Sequence, residues 1–140
     1  MSNMSHQIMN HDELKTYLEL IGGVKSPNWR YSPSSAAGDN FTVITDPNFF
    51  SVDCGWYGLI KDLINELIEL GWDKEIHQVK EKYGGLRFYV GSVDDAMQLV
   101  IRKYENMSYE TCEVCGVPGQ IRPGGWIVTL CDTHFEQRSV

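Results

Sequence analysis

Apolar residues recur along this chain in two rhythms, and each change of rhythm marks a new element. Leu14, Tyr17, Leu18 and Ile21 return every three or four positions, which places them on one side of a helix. Asn10 can cap the free N–H groups of its first turn, and Gly22 and Gly23 end the run. A second helix carries Leu59, Ile60, Leu63, Ile64, Leu67, Ile68 and Leu70 on a broad apolar face. Lys61, Asp62, Glu66 and Glu69 cover the remaining surface, and Gly71 terminates it. A third helix is expected after Ser92, with Asp95 completing a capping-box-like pair and Ala96, Leu99, Val100, Tyr104 and Met107 as its buried stripe.

Between the second and third helices the period falls to two. The segment EIHQVKEKYGGLRFYVG reads as two strands turning at Gly84 and Gly85, which readily take the positive φ values of a tight hairpin. Leu86, Phe88 and Val90 point to one side, toward the long helix, and Arg87 and Tyr89 to the other. Phe41 to Thr45 suits a short strand closed by Asp46 and Pro47. From Val24 to about Gly38 turn-forming residues surround Trp29 and Tyr31, which predicts a long loop pinned by its aromatics. The expected fold is α+β, with three helices packed on a small antiparallel sheet and a C-terminal zinc-ribbon-like module. Residues 1–10 read as a flexible leader, 11–107 as the body, and 108–140 as the module docked on that body in a single compact unit.

The module is the most specific signal. Cys112 and Cys115 form CEVC, and after fifteen intervening residues Cys131 and His134 form CDTH. A two-residue spacer lets one tight turn aim both donors at one point, and two such pairs complete the tetrahedral shell that zinc prefers. A closed shell leaves no position for a substrate water, so the expected role is one structural Zn2+, with catalytic metal, a disulfide or free thiols as the alternatives. Gln120 to Arg122 and Trp126 to Leu130 can form a hairpin through Pro123, Gly124 and Gly125 between the two pairs. About thirty residues cannot bury an adequate core, so metal replaces burial there.

Length and composition set the wider frame. A chain of 140 residues suits one core, and 42% hydrophobic with 22% charged residues is a globular balance. The net charge is −7, and one zinc ion with three ionised thiols would take it to −8. That disfavours partners recognised chiefly through phosphate charge, so nucleic acid is not the expected partner. No basic start followed by an apolar run opens the chain, and no stretch has the length of a membrane span, so the expectation is a cytoplasmic protein with reduced thiols and no membrane association.

Recognition chemistry is more diffuse. Between Trp72 and Gly91, Lys74, Lys80, Lys82 and Arg87 outnumber Asp73, Glu75 and Glu81 by one, so this hairpin could take phosphate or a nucleotide-like small ligand, against a solvated hairpin with cross-strand charge pairs. Arg30 beside Trp29 and Tyr31, and Arg122 near Trp126, combine guanidinium and aromatic groups as bases and protein interfaces use them. Catalysis finds little purchase. His77 is the only free imidazole expected in the body, and a Cys54–His77 dyad competes with a buried small thiol and a hydrogen-bonded structural histidine. GxGxxG, the phosphate-binding GxxxxGK loop, HExxH and the zinc-deaminase signature are all absent from the sequence.

The runs KEKYGGLRFYV, CEVCGVPGQIR and GWIVTLCDTH resemble a group of small proteins of bacterial viruses and integrated prophages, over about residues 54 to 135 and not the N-terminal third. The resemblance implies a phage-encoded, zinc-holding accessory protein in the host cytoplasm, with the metal on Cys112, Cys115, Cys131 and His134. Accessory proteins of this kind bind host factors or sequester immune signals, so the leading expectation is a non-enzymatic, counter-defence type of protein that binds a host protein. A nucleotide-signal sponge and a zinc-dependent nucleic-acid binder are the alternatives.

Overall fold

The apolar face of one helix organises the rest. A computed structural model describes residues 8–27 and 41–138. Its elements are α1 (His11–Leu20), β1 (Val24–Pro27), β2 (Phe41–Ile44), α2 (Tyr57–Glu69), β3 (Ile76–Lys82), β4 (Gly85–Val90), α3 (Asp95–Ser108), β5 (Gln120–Arg122), β6 (Val128–Leu130) and α4 (Asp132–Arg138), with short 3-10 turns at Pro47–Phe49 and Cys54–Trp56. In α2, Leu59, Ile60, Leu63, Ile64 and Leu67 are buried. Each contributes about 1.5–3 kcal/mol relative to an exposed position. Helices α1 and α3 both pack on α2, and α3 also meets β4.

The mixed α/β class with small antiparallel sheets agrees with the sequence, but the helix count does not. Four α-helices are present among the described residues, because Asp132–Arg138 after the second ligand pair winds into α4. The strands form three two-stranded antiparallel sheets, β1–β2, β3–β4 and β5–β6, in place of one. Single parallel bridges link Lys25 to Glu75 and Ser51 to Lys80, so the first two pairs lie edge to edge.

Three local readings also change. Val24–Pro27, expected as loop, is a strand paired with Phe41–Ile44 in the register Val24 opposite Ile44; Val24 and Ser26 are buried there. Asp94, and not Ser92, caps α3 by accepting a hydrogen bond from Met97 N at 2.9 Å. Packed on α2 and β4, α3 turns Met97, Ile101, Tyr104 and Ser108 inward, while Ala96 and Leu99 are exposed. Helix α1 starts as expected, with a reciprocal capping box between Asn10 and Glu13. Its C-terminal end gains an unforeseen partner in Lys74, whose Nζ donates to Ile21 O at 2.7 Å.

The β3–β4 turn is displaced by one residue from Gly84–Gly85. Lys82 pairs with Gly85, so Tyr83 (φ 53°) and Gly84 (φ 84°) are the central residues of a turn with two positive φ values. Gly85 is a strand residue, and a Cβ there would run into the ring of Tyr109.

Backbone hydrogen bonds tie the C-terminal segment to the body. Gly55 N donates to Glu113 O at 2.7 Å and Trp56 Nε1 to Thr111 O at 2.9 Å. From the other side Thr129 Oγ1 donates to Gly84 O at 2.6 Å. A Cβ on Gly55 would overlap the carbonyl oxygens of Cys112 and Glu113. The collision is with backbone, which cannot rotate away. Gly55→Ala is therefore expected to destabilise the fold by about 1–3 kcal/mol, the usual cost of overpacking. Urea unfolding of the two proteins measures it, and equal midpoints would refute the close approach.

A second prediction concerns α2 and α3. Tyr104 Oη donates to Glu66, and Lys103 Nζ lies 2.9 Å from Glu66 Oε2. Burial works against ionisation of Glu66, but these hydrogen bonds and the Lys103 charge outweigh it and hold the carboxyl below its ordinary range. A carboxyl lowered by folding stabilises the protein above its ordinary pKa and loses that contribution as pH falls through the folded value. The stability gap between wild type and Glu66→Gln is thus expected at neutral pH and should narrow in acid. A gap independent of pH would contradict the ion pair.

Candidate metal centre

Two tight turns and one short helix bring the four donors together. The Cys112–Cys115 turn closes through Gly116 N to Cys112 O at 2.9 Å, and Gly116 takes a φ of 87°. Cys112 N donates to Val117 O at 2.8 Å, fixing the base of this knuckle. Across it, β6 ends at Leu130, Cys131 follows, and α4 begins at Asp132, so that His134 returns one turn later. His134 N lies 3.5 Å from Cys131 Sγ.

The donor atoms of Cys112, Cys115, Cys131 and His134 all lie within 4.8 Å of one another. Cys115 Sγ is 3.8 Å from Cys131 Sγ, and His134 Nδ1 is 3.7 Å from Cys112 Sγ and 3.3 Å from Cys131 Sγ. A tetrahedral ion with bonds of about 2.3 Å to sulfur and 2.0–2.1 Å to nitrogen requires edges of about 3.8 Å between sulfurs and 3.6 Å between sulfur and nitrogen. The quartet thus has the size of a four-coordinate metal shell and can bind a metal ion.

Cys112 and Cys131 are buried beside Leu130, and Cys115 and His134 are half-buried. Burial opposes ionisation of Cys112, yet the N–H groups of Cys131, Cys115 and Val114 point at its sulfur and hold the thiol below its ordinary range. Burial pushes the Cys115 thiol up to about 11, and the neighbouring Cys112 and Cys131 sulfurs add to that effect. Glu113, between the two cysteines in sequence, is turned toward the body. Burial pushes its carboxyl up to about 7, despite the hydrogen bond it accepts from Asp53 N at 3.2 Å.

Arg122, expected as a recognition residue, is part of the frame around His134. Its Nη2 donates to Leu130 O at 3.0 Å and to Asp132 Oδ1 at 2.7 Å, and its guanidinium lies 4.4 Å from the centre of the Phe135 ring. With 11% of its side chain exposed, it grips β6 and α4 on either side of Cys131. Asp132 and Phe135 were not foreseen in this role, because their part depends on the helix that the sequence reading lacked.

The other expected binding residues are spread over the β3–β4 and β5–β6 hairpins where they are described. Trp29, Arg30 and Tyr31 lie outside the described residues. Lys80 and Arg87 are directly paired across β3 and β4, two cations on one face. Arg87 is engaged by Tyr109, whose hydrogen bond holds the guanidinium above its ordinary range, and its Nη1 donates to Leu86 O at 3.1 Å. Lys82 Nζ sits 5.7 Å from the centre of the Tyr83 ring. Trp126 is 70% exposed at the β5–β6 turn. His77 Nε2 lies 2.8 Å from Glu75 Oε2, and Cys54 Sγ donates to Val114 O at 3.6 Å, so each side of the imagined dyad has another partner.

Removing the Arg122 brace should loosen His134 without deleting a donor. Arg122→Ala is expected to weaken metal binding by about 10–100-fold, the range for groups that orient ligands, while stoichiometry at saturation stays the same. Competition with a chromophoric chelator measures it, and unchanged affinity would refute the brace. No protein-family model, curated protein or solved structure matches this chain. The functional reading therefore rests on these side chains and their geometry.

Proposed function

We propose that this chain is a non-enzymatic, zinc-stabilised binding protein, phage-encoded and acting in the host cytoplasm, that docks on a host protein. The observation that carries the reading is the closed Cys3His quartet. Four protein donors fill the coordination shell, so a bound zinc supplies folding free energy and no vacant position for a reacting water. Three thiolates also favour zinc over hard cations that prefer oxygen ligands.

Several features support a binding role for the metal-held segment. Val114, Val117, Ile121, Trp126 and Phe135 are exposed large apolar residues on residues 108–138, a segment with little buried core of its own. Such a surface, held rigid by metal and by hydrogen bonds to the body, suits contact with another macromolecule. Burial is concentrated elsewhere, around α2. No helix among the described residues is long and apolar enough to cross a membrane.

Host lysate passed over immobilised protein tests the reading. The zinc-loaded protein is expected to retain a specific host protein, and a Cys112→Ser/Cys115→Ser double variant to lose it together with the metal. Absence of any specific partner would overturn the binding role. Retention by the metal-free variant would overturn the role of the metal.

A further inference from the structure

Two hairpin turns, distant in sequence, meet beside the metal-held segment. Thr129 of β6 donates to Gly84 O in the β3–β4 turn, and the two tips enclose a cavity of about 270 Å³ lined by Glu81, Tyr83, Gly125, Trp126 and Ile127. Its walls are the two most exposed aromatic side chains among the described residues, Tyr83 at 67% and Trp126 at 70%. Neither ring is spent on the core. The cavity lies just below the volume of about 300–1,000 Å³ typical of sites for drug-sized ligands and has room for one side chain.

Tyr83 is placed there against its own backbone preference. It occupies the first central position of the turn with φ 53°, a left-handed conformation that asparagine or glycine takes readily and a bulky aromatic takes rarely. Exposure removes any packing reason for the ring. A residue that costs backbone strain and contributes little burial points to a role at the surface.

The chemistry of the lining selects the occupant. Faces of tyrosine and indole rings are the negative regions of their quadrupoles, and tryptophan is the best ring for holding a cation. Glu81 adds a carboxylate whose Oε2 accepts a hydrogen bond from Gly84 N at 2.7 Å. The chain's own Lys82 ammonium already lies 5.7 Å from the Tyr83 ring centre. The net charge of −7 draws positive partners toward the whole surface. We infer that the Tyr83–Trp126 cleft is a docking site for a cationic side chain, arginine or lysine, presented by a partner protein. This rests on the protein-binding reading above and gives it a place and a chemistry.

The test uses the zinc-loaded full chain and three short, otherwise identical peptides carrying a central arginine, lysine or neutral citrulline. In nitrogen-correlated NMR spectra the Trp126 indole N–H, assigned by its loss in Trp126→Phe, and the Tyr83 and Gly84 amides should shift saturably with the arginine or lysine peptide. The citrulline peptide should bind at least about fivefold more weakly, the scale of one cation–ring contact. Tyr83→Asn suits the left-handed position, so it should leave thermal stability equal or higher while weakening the peptide about five- to tenfold. Lys82→Gln removes a competing cation and should tighten binding.

Equal binding of the citrulline peptide, shifts that persist in Tyr83→Asn/Trp126→Ala, or weakening by Lys82→Gln would each overturn the cleft. The last result would mean that Lys82 contacts the peptide itself and does not compete with its cation. A host partner that is retained equally by wild type and by Tyr83→Asn/Trp126→Ala would sink the cleft as its docking site and leave the binding function standing. Failure to capture any partner, with specific peptide shifts, would have the opposite meaning.

Discussion

The constraint on which the rest depends is the gathering of three sulfurs and one imidazole nitrogen within 4.8 Å. Ionised thiols at that separation repel one another, and protonated thiols gain little from being so close. A divalent cation reverses the sign of the interaction, because each thiolate is then attracted to a centre about 2.3 Å away. A bound metal ion would thus make this arrangement of side chains favourable, and the backbone around the quartet has the matching shape. The left-handed Gly116 closes one knuckle, and the first turn of α4 delivers His134 to the other.

The same constraint explains how unevenly the hydrophobic core is distributed. Leu14, Leu18, Trp56, the inner face of α2, Val79 and Leu86 share one continuous cluster, while the C-terminal segment contributes little beyond Cys112, Leu130 and Cys131. That segment is attached to the body by directional contacts. Gly55 admits the Glu113 carbonyl because it has no Cβ, Trp56 uses its indole N–H on Thr111, and Thr129 reaches the β3–β4 turn. Position is fixed by hydrogen bonds more than by burial, so apolar side chains there remain exposed and available for contact.

What the sequence disclosed follows the range of the forces involved. Helix α2 was legible because six apolar residues, Leu59, Ile60, Leu63, Ile64, Leu67 and Ile68, keep one phase over its length, although Leu70 falls at the cap and is exposed. The ligand quartet was legible because two-residue spacers suit a tetrahedral ion. Readings failed where a neighbour decided between nearly equal options. Asp94 caps α3 in place of Ser92, since both are good N-cap residues two positions apart and the sequence alone does not choose between them. The turn slid from Gly84–Gly85 to Tyr83–Gly84 because Gly85 is needed under the Tyr109 ring, a contact between residues far apart in sequence. Helix α4 is short and has no buried residue, so no apolar period announces it. The contacts of Arg122 with Leu130 O, Asp132 and Phe135 were hidden for the same reason, since two of these partners are on that helix.

X-ray absorption at the zinc edge, on protein purified with zinc and freed of excess metal, tests the central claim most directly. One equivalent of zinc should remain, with three sulfur neighbours at about 2.3 Å and one nitrogen at about 2.0–2.1 Å. A shell containing water or carboxylate oxygen, or protein that stays folded while retaining no stoichiometric metal, would contradict it.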